Sequence, residues 1–250
     1  MRELRWGGVR NIRDLGGLPS STSPTGETIY GRIARGPRRE LISKEGWESA
    51  RSWGLNTVVD LRCLHETGAR EQDPEVDERS TENIVVLSTP TEDQESEEFR
   101  RTCFPILDSP EYWVHNWRIL PELVRNSLRA IATSPSGVLV HCSAGRDRTG
   151  MITALLLGNA GVPPSSVVDD YAQSVRAMAG TPHQGQAGDR QAEWNSQQRE
   201  DWIESVSPIV YEAAEDTQRA FDMIQLDRRD QRRLREMLTQ PSVIFSAHKC

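Results

Sequence analysis

The sequence predicts an α/β chain, a mostly parallel sheet with helices on both faces. Two observations predict it. Short apolar runs at Thr57–Leu61, Ile84–Leu87 and Val138–Val140, with a weaker one at Tyr30–Ala34, alternate with stretches of helical spacing. That is the pattern of parallel strands joined by crossover helices. The run at Val138–Val140 also passes through His141-Cys142-Ser143-Ala144-Gly145-Arg146-Asp147-Arg148-Thr149-Gly150 directly into an apolar helical pattern. A strand, a tight loop and a helix N-terminus therefore follow one another.

Taken in order, residues 19–28 are rich in Pro, Ser, Thr and Gly and read as a loop or hairpin connection. Ser43 is placed to cap a helix ending near Gly54, with Trp47, Ala50 and Trp53 on one side. Residues 65–82 are charged and loop-like. Residues 88–110 are acidic, with Glu92, Asp93, Glu95, Glu97 and Glu98, and are either a solvated face or a mobile lid. Glu111–Thr133 has helical spacing that Pro121 should kink or divide, and its Trp113/Trp117 stripe is either core or a ligand platform. Thr149–Ala160 is a helix stopped by Gly161 and Pro163-Pro164. Ser165 or Ser166 then caps a helix to about Met178. Residues 180–190 read as a flexible connection, and 191–206 and 211–239 as helical, with a break near Asp227.

The ten-residue window carries the chemistry. Loop N–H groups and the positive end of a helix dipole converge there into an anion site, and a cysteine at its mouth favours the thiolate form. Arg148 offers a planar fork that matches two phosphate oxygens. Gly145 permits backbone geometry closed to other residues, and Thr149 can offer its hydroxyl to the cysteine sulfur. The spacing is not that of a nucleotide-binding Gly-x4-Gly-Lys loop.

At these residues the chain resembles the cysteine-dependent phosphatase superfamily, whose signature is His-Cys-x5-Arg-Ser/Thr. HCSAGRDRTG is most similar to its bacterial tyrosine/lipid phosphatase branch, which carries Lys where this chain has Arg146. Asn11-Ile12-Arg13-Asp14-Leu15-Gly16-Gly17, Ile33-Ala34-Arg35-Gly36, Val58-Val59-Asp60-Leu61-Arg62 and Asp170-Tyr171-Ala172-Gln173-Ser174 extend the resemblance over roughly residues 6–175. It implies the protein-tyrosine-phosphatase-like fold in one domain, residues 1–250. Residues 1–178 form the matching core and 179–250 a divergent helical part, where the branch builds lid helices.

The resemblance implies that Cys142 attacks phosphorus and that the N–H groups of Ser143, Ala144, Gly145, Arg146, Asp147 and Arg148 hold the phosphate with the Arg148 side chain. A general acid must protonate the leaving oxygen. Asp147 is the branch's choice, and Asp108 lies where the commoner phosphatases place theirs. His141 is expected to orient the loop and favour the thiolate. Asp60 is expected to anchor Arg13, Arg35 or the loop backbone, and Asn11, Arg13 and Asp14 to brace the loop from below. Asp170 and Tyr171 are expected to pack against the loop helix. No metal or cofactor is called for. The expected partners are a phosphorylated protein or a phosphoinositide, with inorganic phosphate as product. Arg146 bears on that choice, since extra phosphates need extra cations. A non-catalytic phosphate-binding protein is a further alternative, against which the intact Cys142/Arg148 pair counts.

Composition excludes other classes. The 250 residues carry a net charge of −7 and are 36% hydrophobic, which disfavours nucleic-acid binding through a globally basic surface. No apolar run of about 18 residues predicts membrane insertion. The N-terminal residues lack the apolar stretch of a secretory signal, so a cytoplasmic location is expected, with export by a signal-independent route left open. The four cysteines, Cys63, Cys103, Cys142 and Cys250, show no CxxC spacing and suit a reducing compartment. Cys63 is either an ordinary thiol or the partner of a reversible disulfide with Cys142.

Overall fold

Five short strands form one sheet in the order β1-β2-β5-β3-β4 in a computed structural model that describes residues 1–180 and 191–241. They are β1 (Arg13–Asp14), β2 (Ile33–Gly36), β3 (Thr57–Asp60), β4 (Val85–Ser88) and β5 (Val138–His141). Only β1 runs antiparallel, against β2, and the other pairings are parallel. The α/β expectation holds.

Side chains alternate across the inner strands, as a pleat requires. Ala34, Val58 and Leu139 enter one apolar cluster with Trp6, Ile42, Trp47 and Ala50. Ile33, Val59, Val138 and Val140 enter a larger one on the other face. Helix α1 (Lys44–Trp53) covers the first face; it is capped by Ser43, which accepts from the Gly46 N–H, and ends at left-handed Gly54. The second face carries α3 (Tyr112–Ile119), α4 (Pro121–Thr133), α5 (Asp147–Asn159), α6 (Pro164–Met178), α7 (Ser196–Glu215), α8 (Thr217–Met223) and α9 (Arg228–Thr239), several of which pack on α5.

The differences from the sequence reading have local causes. The strand expected at 30–34 begins at Ile33, because Gly31 turns the chain with φ +75°. Strand β4 is shifted one residue and lies at the sheet edge with Val85 exposed. Pro121 divides the long helix, as expected, at the first turn of α4. Helix α6 starts at Pro164 without a side-chain cap, so neither Ser165 nor Ser166 serves. Helix α7 runs unbroken through Pro208, where a break was expected, whereas Asp227 does cap α9 by accepting from the Asp230 N–H. The 88–110 segment contains helix α2 (Glu97–Cys103), whose Phe99 and Cys103 are buried. Trp113 and Trp117 belong to the core. The connection expected at 180–190 lies almost wholly outside the described residues. Among the described residues, no helix is long and apolar enough to cross a membrane.

Candidate active site

Strand register sets the site. Gly36, His141 and Asp60 are level at the carboxyl ends of β2, β5 and β3, and the 142–148 loop leaves β5 between its two neighbours. Ligands of open α/β sheets bind at such a position. Gly145 is required there: it has φ +69°, and a Cβ would stand 2.4 Å from the Gly36 carbonyl oxygen. The Arg38 N–H donates to the Ser143 carbonyl at 3.0 Å and closes the loop against the segment after β2. Cys142 is only 2% exposed, and Ser143, Ala144, Arg146 and Arg148 are buried with it.

From below, the Asn11 amide donates to the carbonyls of Ala144 (2.9 Å) and Gly145 (3.2 Å), from a left-handed backbone position that asparagine tolerates. Arg35 NH2 donates to the same Gly145 carbonyl at 2.6 Å. Arg13 NH1 donates to Asn11 Oδ1 at 2.7 Å. Buried Asp170 is the hub: it accepts from Arg13 Nε (2.8 Å), Arg35 NH1 (2.5 Å) and Arg2. Burial alone would push Asp170 up, but Arg13 and Arg35 hold it far below the ordinary carboxylate range. Burial, with Arg13 nearby, lowers Arg35 to about 10. Sequence reading gave the anchoring role to Asp60 and only packing to Asp170; the structure reverses this. Asp14 also misses the loop. It accepts from the N–H groups of Gly16 and Gly31 and from Trp53 Nε1, which is a turn-and-helix contact.

At the Cys142 end of the loop, His141 Nδ1 donates to the Cys142 carbonyl at 3.0 Å. Burial pushes His141 below its ordinary value, against the pull of Asp60, so the ring is neutral at pH 7. Its Nε2 stands 3.6 Å from Asp60 Oδ2. Asp60 spends its oxygens on Arg62, at 2.9 Å from Nε and 2.7 Å from NH2. Among the described residues the buried Thr149 hydroxyl has no hydrogen-bond partner, so the expected bond to sulfur is not formed.

At the arginine end, both terminal nitrogens of Arg148 donate to Glu66, at 2.5 and 2.7 Å, and NH1 stands 3.5 Å from Glu92. Glu92 is 6% exposed, which corrects its assignment to a solvated face, and burial pushes its carboxyl up. Sequence reading missed Glu66 and Glu92, because nothing in the spacing of two charged stretches marks these two residues. Cys63, Glu66 and Glu92 also place their donor atoms within 4.8 Å of one another, a ligand-like set in which Arg148 is already the cation. Cys63, Cys103 and Cys142 are free thiols. The Cys63 thiol donates to the Glu92 carbonyl at 3.3 Å, and burial, with Glu92 nearby, pushes it up to about 11. A thiol so protonated exchanges slowly.

Of the two candidate acids, Asp147 opens α5 and accepts from Arg146 Nε at 3.1 Å on each oxygen. Asp108 is half-buried, with its carbonyl accepting from Gln191 at 2.9 Å. Both carboxylates act electrostatically on buried Tyr171.

Residues 4–240 match the model of a family described as the tyrosine phosphatase family. The chain belongs to that family. The match passes well beyond residue 175, so α7, α8 and α9 all fall within the tyrosine phosphatase model although they carry no motif. Among curated relatives, a tyrosine-protein phosphatase of Nostoc commune is 32% identical over 133 residues, covering 52% of this chain and 43% of the relative. The triple specificity protein phosphatase PtpB of Mycobacterium tuberculosis is 25% identical over 198 residues, covering 70% and 69%. The chain thus spans less than half the length of the Nostoc phosphatase.

Proposed function

We propose that the chain is a phosphomonoesterase acting on phosphotyrosine, and more weakly on phosphoserine and phosphothreonine, through a phosphocysteine on Cys142. The observation that carries this reading is the buried strand–loop–helix with Cys142 at one end and the Arg148 guanidinium, already oriented, at the other. In the first step the Cys142 thiolate forms the S–P bond as the P–O bond to the leaving group breaks, and Asp147 gives its proton to the departing oxygen. In the second, Asp147 takes a proton from water, whose oxygen attacks phosphorus and breaks the S–P bond, releasing inorganic phosphate. Arg148 and the N–H groups of residues 143–148 hold the equatorial oxygens; such electrostatic stabilisation is the largest catalytic term.

Arg146 Nε pairs with both oxygens of Asp147 in the free protein. A bound dianion competes for that guanidinium and repels the carboxylate. The same pairing works against a phosphoinositide preference, because Asp147 already opposes the charge of the loop's second cation. A reducing, cytoplasmic setting suits the free thiol.

The mycobacterial relative's triple-specificity name makes the test a panel: phosphotyrosine peptides, phosphoserine peptides and phosphoinositides, each with wild type and Cys142→Ser. Expected are hydrolysis led by phosphotyrosine and its loss in Cys142→Ser. Turnover that survives in Cys142→Ser overturns the mechanism. Phosphoinositides as the best substrates overturn the specificity, and binding without turnover makes the chain a phosphate-binding protein.

A further inference from the structure

We propose that Glu66 is a positioning residue for phosphate recognition, holding the far end of the Arg148 guanidinium so that its other edge faces the substrate. The inference rests on the phosphatase reading and names the group that orders its phosphate fork.

A guanidinium has five N–H donors in fixed directions. Glu66 takes one from NH1 and one from NH2 of Arg148, and Glu92 faces NH1. Among the described residues, that leaves the Nε–H and the second NH2 hydrogen, parallel along one edge. Two parallel donors are what a pair of phosphate oxygens binds. Glu66 therefore does not compete for the fork; it selects which fork Arg148 offers.

Glu66 can do this because it is itself fixed. Its Oε2 accepts from the Cys63 N–H at 3.0 Å and its carbonyl accepts from Arg62 NH1 at 3.2 Å. Arg62 grips Asp60, which faces His141, whose ring holds the Cys142 carbonyl. Glu92 is located by the same segment, because the Thr91 N–H donates to the carbonyl of Leu61, the residue after β3, at 3.3 Å. The segment from Asp60 to Glu66 thus touches both ends of the loop, so the spacing between nucleophile and guanidinium is set from β3 as well as by the loop.

The test is a double-mutant cycle in inorganic phosphate binding, measured by calorimetry in the Cys142→Ser background, where turnover is not needed. Glu66→Gln is expected to weaken phosphate about tenfold and Arg148→Lys about thirtyfold, with the pair no worse than Arg148→Lys alone. Multiplied losses, about 300-fold for the pair, overturn the proposal, since Glu66 would then act independently of Arg148. Unchanged affinity in Glu66→Gln overturns it as well. Melting temperatures accompany each variant. Should Glu66→Gln fail to fold, Glu66→Asp, one methylene shorter, is expected to bind phosphate several-fold more weakly than its parent, and parental affinity there overturns the proposal. If wild type hydrolyses nothing in the substrate panel while the cycle stays non-additive, the phosphatase reading falls and the positioning role stands.

Discussion

Below the loop one carboxylate, Asp170, is shared by three guanidiniums; beside the loop one guanidinium, Arg148, is shared by two carboxylates. Both clusters are buried, but they face different tasks. The brace under the loop has every Asp170 oxygen occupied, and it works through Asn11 and Arg35 on loop carbonyls. The clamp leaves one edge of its cation open. Their inverse charge ratios separate a cluster that holds the loop backbone from one that leaves a donor edge open. Substitutions in the brace should therefore register as stability, and substitutions in the clamp as activity.

The largest expected effect tests the first half of that statement. Asp170→Ala leaves Arg13 and Arg35 buried without their counter-charge, and breaking a buried pair in this way costs about 4 kcal/mol. Urea unfolding should show that loss. Activity per folded molecule, measured at low temperature, should fall far less. A full-stability variant with dead loop chemistry would place Asp170 in the clamp's class. Arg148→Lys should do the reverse. It loses the planar fork, and kcat/KM falls about 10²- to 10³-fold, the cost of one well-placed transition-state donor, while the melting temperature moves little because a cation remains between Glu66 and Glu92.

This contrast was half legible in the sequence. The loop is a local motif, and Cys142, Gly145 and Arg148 could be assigned from ten consecutive residues because strand, turn and helix lie adjacent in the chain. The brace and clamp are built from long-range pairs: Arg13 with Asp170, 157 residues apart, and Arg148 with Glu66, 82 apart. Charge alone does not say which of many carboxylates will meet which arginine. Asp60 looked like the anchor because it ends the neighbouring strand; Arg62, two residues on, turns back and takes it. Glu92 looked solvated because acidic runs usually are, and Thr91 pinned to Leu61 draws it inward. Helix α7 ran through Pro208 because packing on α5 and α6 outweighs one missing backbone bond.

A smaller effect sharpens the rim of the site. Asp147 and Asp108 both act electrostatically on Tyr171, but only Asp147 belongs to the loop. Asp147→Asn is expected to lower kcat about 10²-fold for aryl phosphates with poor leaving groups and hardly at all for good ones, as loss of a general acid should. Asp108→Asn is expected to cost less than about fivefold on the same substrates. The opposite ranking in a leaving-group series moves the acid to Asp108.

The smallest effect is the pH dependence of stability, where Asp170 of the brace and Glu92 of the clamp should differ in sign. Asp170 sits far below its ordinary value of 3.8 in the folded chain. Its contribution is therefore complete above that value and is lost as pH falls below it, with a limiting slope of about 1.4 kcal/mol per pH unit. Glu92 is displaced the other way, above 4.5, by burial against the pull of Arg148. It favours the folded state when protonated, so its contribution is present below 4.5 and is lost as pH rises through its folded value. As pH falls through the raised folded value of Glu92 its burial should add stability while Asp170 is unmoved; below 3.8 the brace should lose stability, and the Glu66–Arg148 pair should weaken in the same direction because Arg148 holds Glu66 below 4.5. Urea midpoints across that range are the measurement. Glu92→Gln should remove the upper feature and Asp170→Asn the lower one. If Glu92→Gln leaves the upper limb unchanged, Glu92 is ionised throughout, and Arg148 carries two full counter-charges before any phosphate arrives.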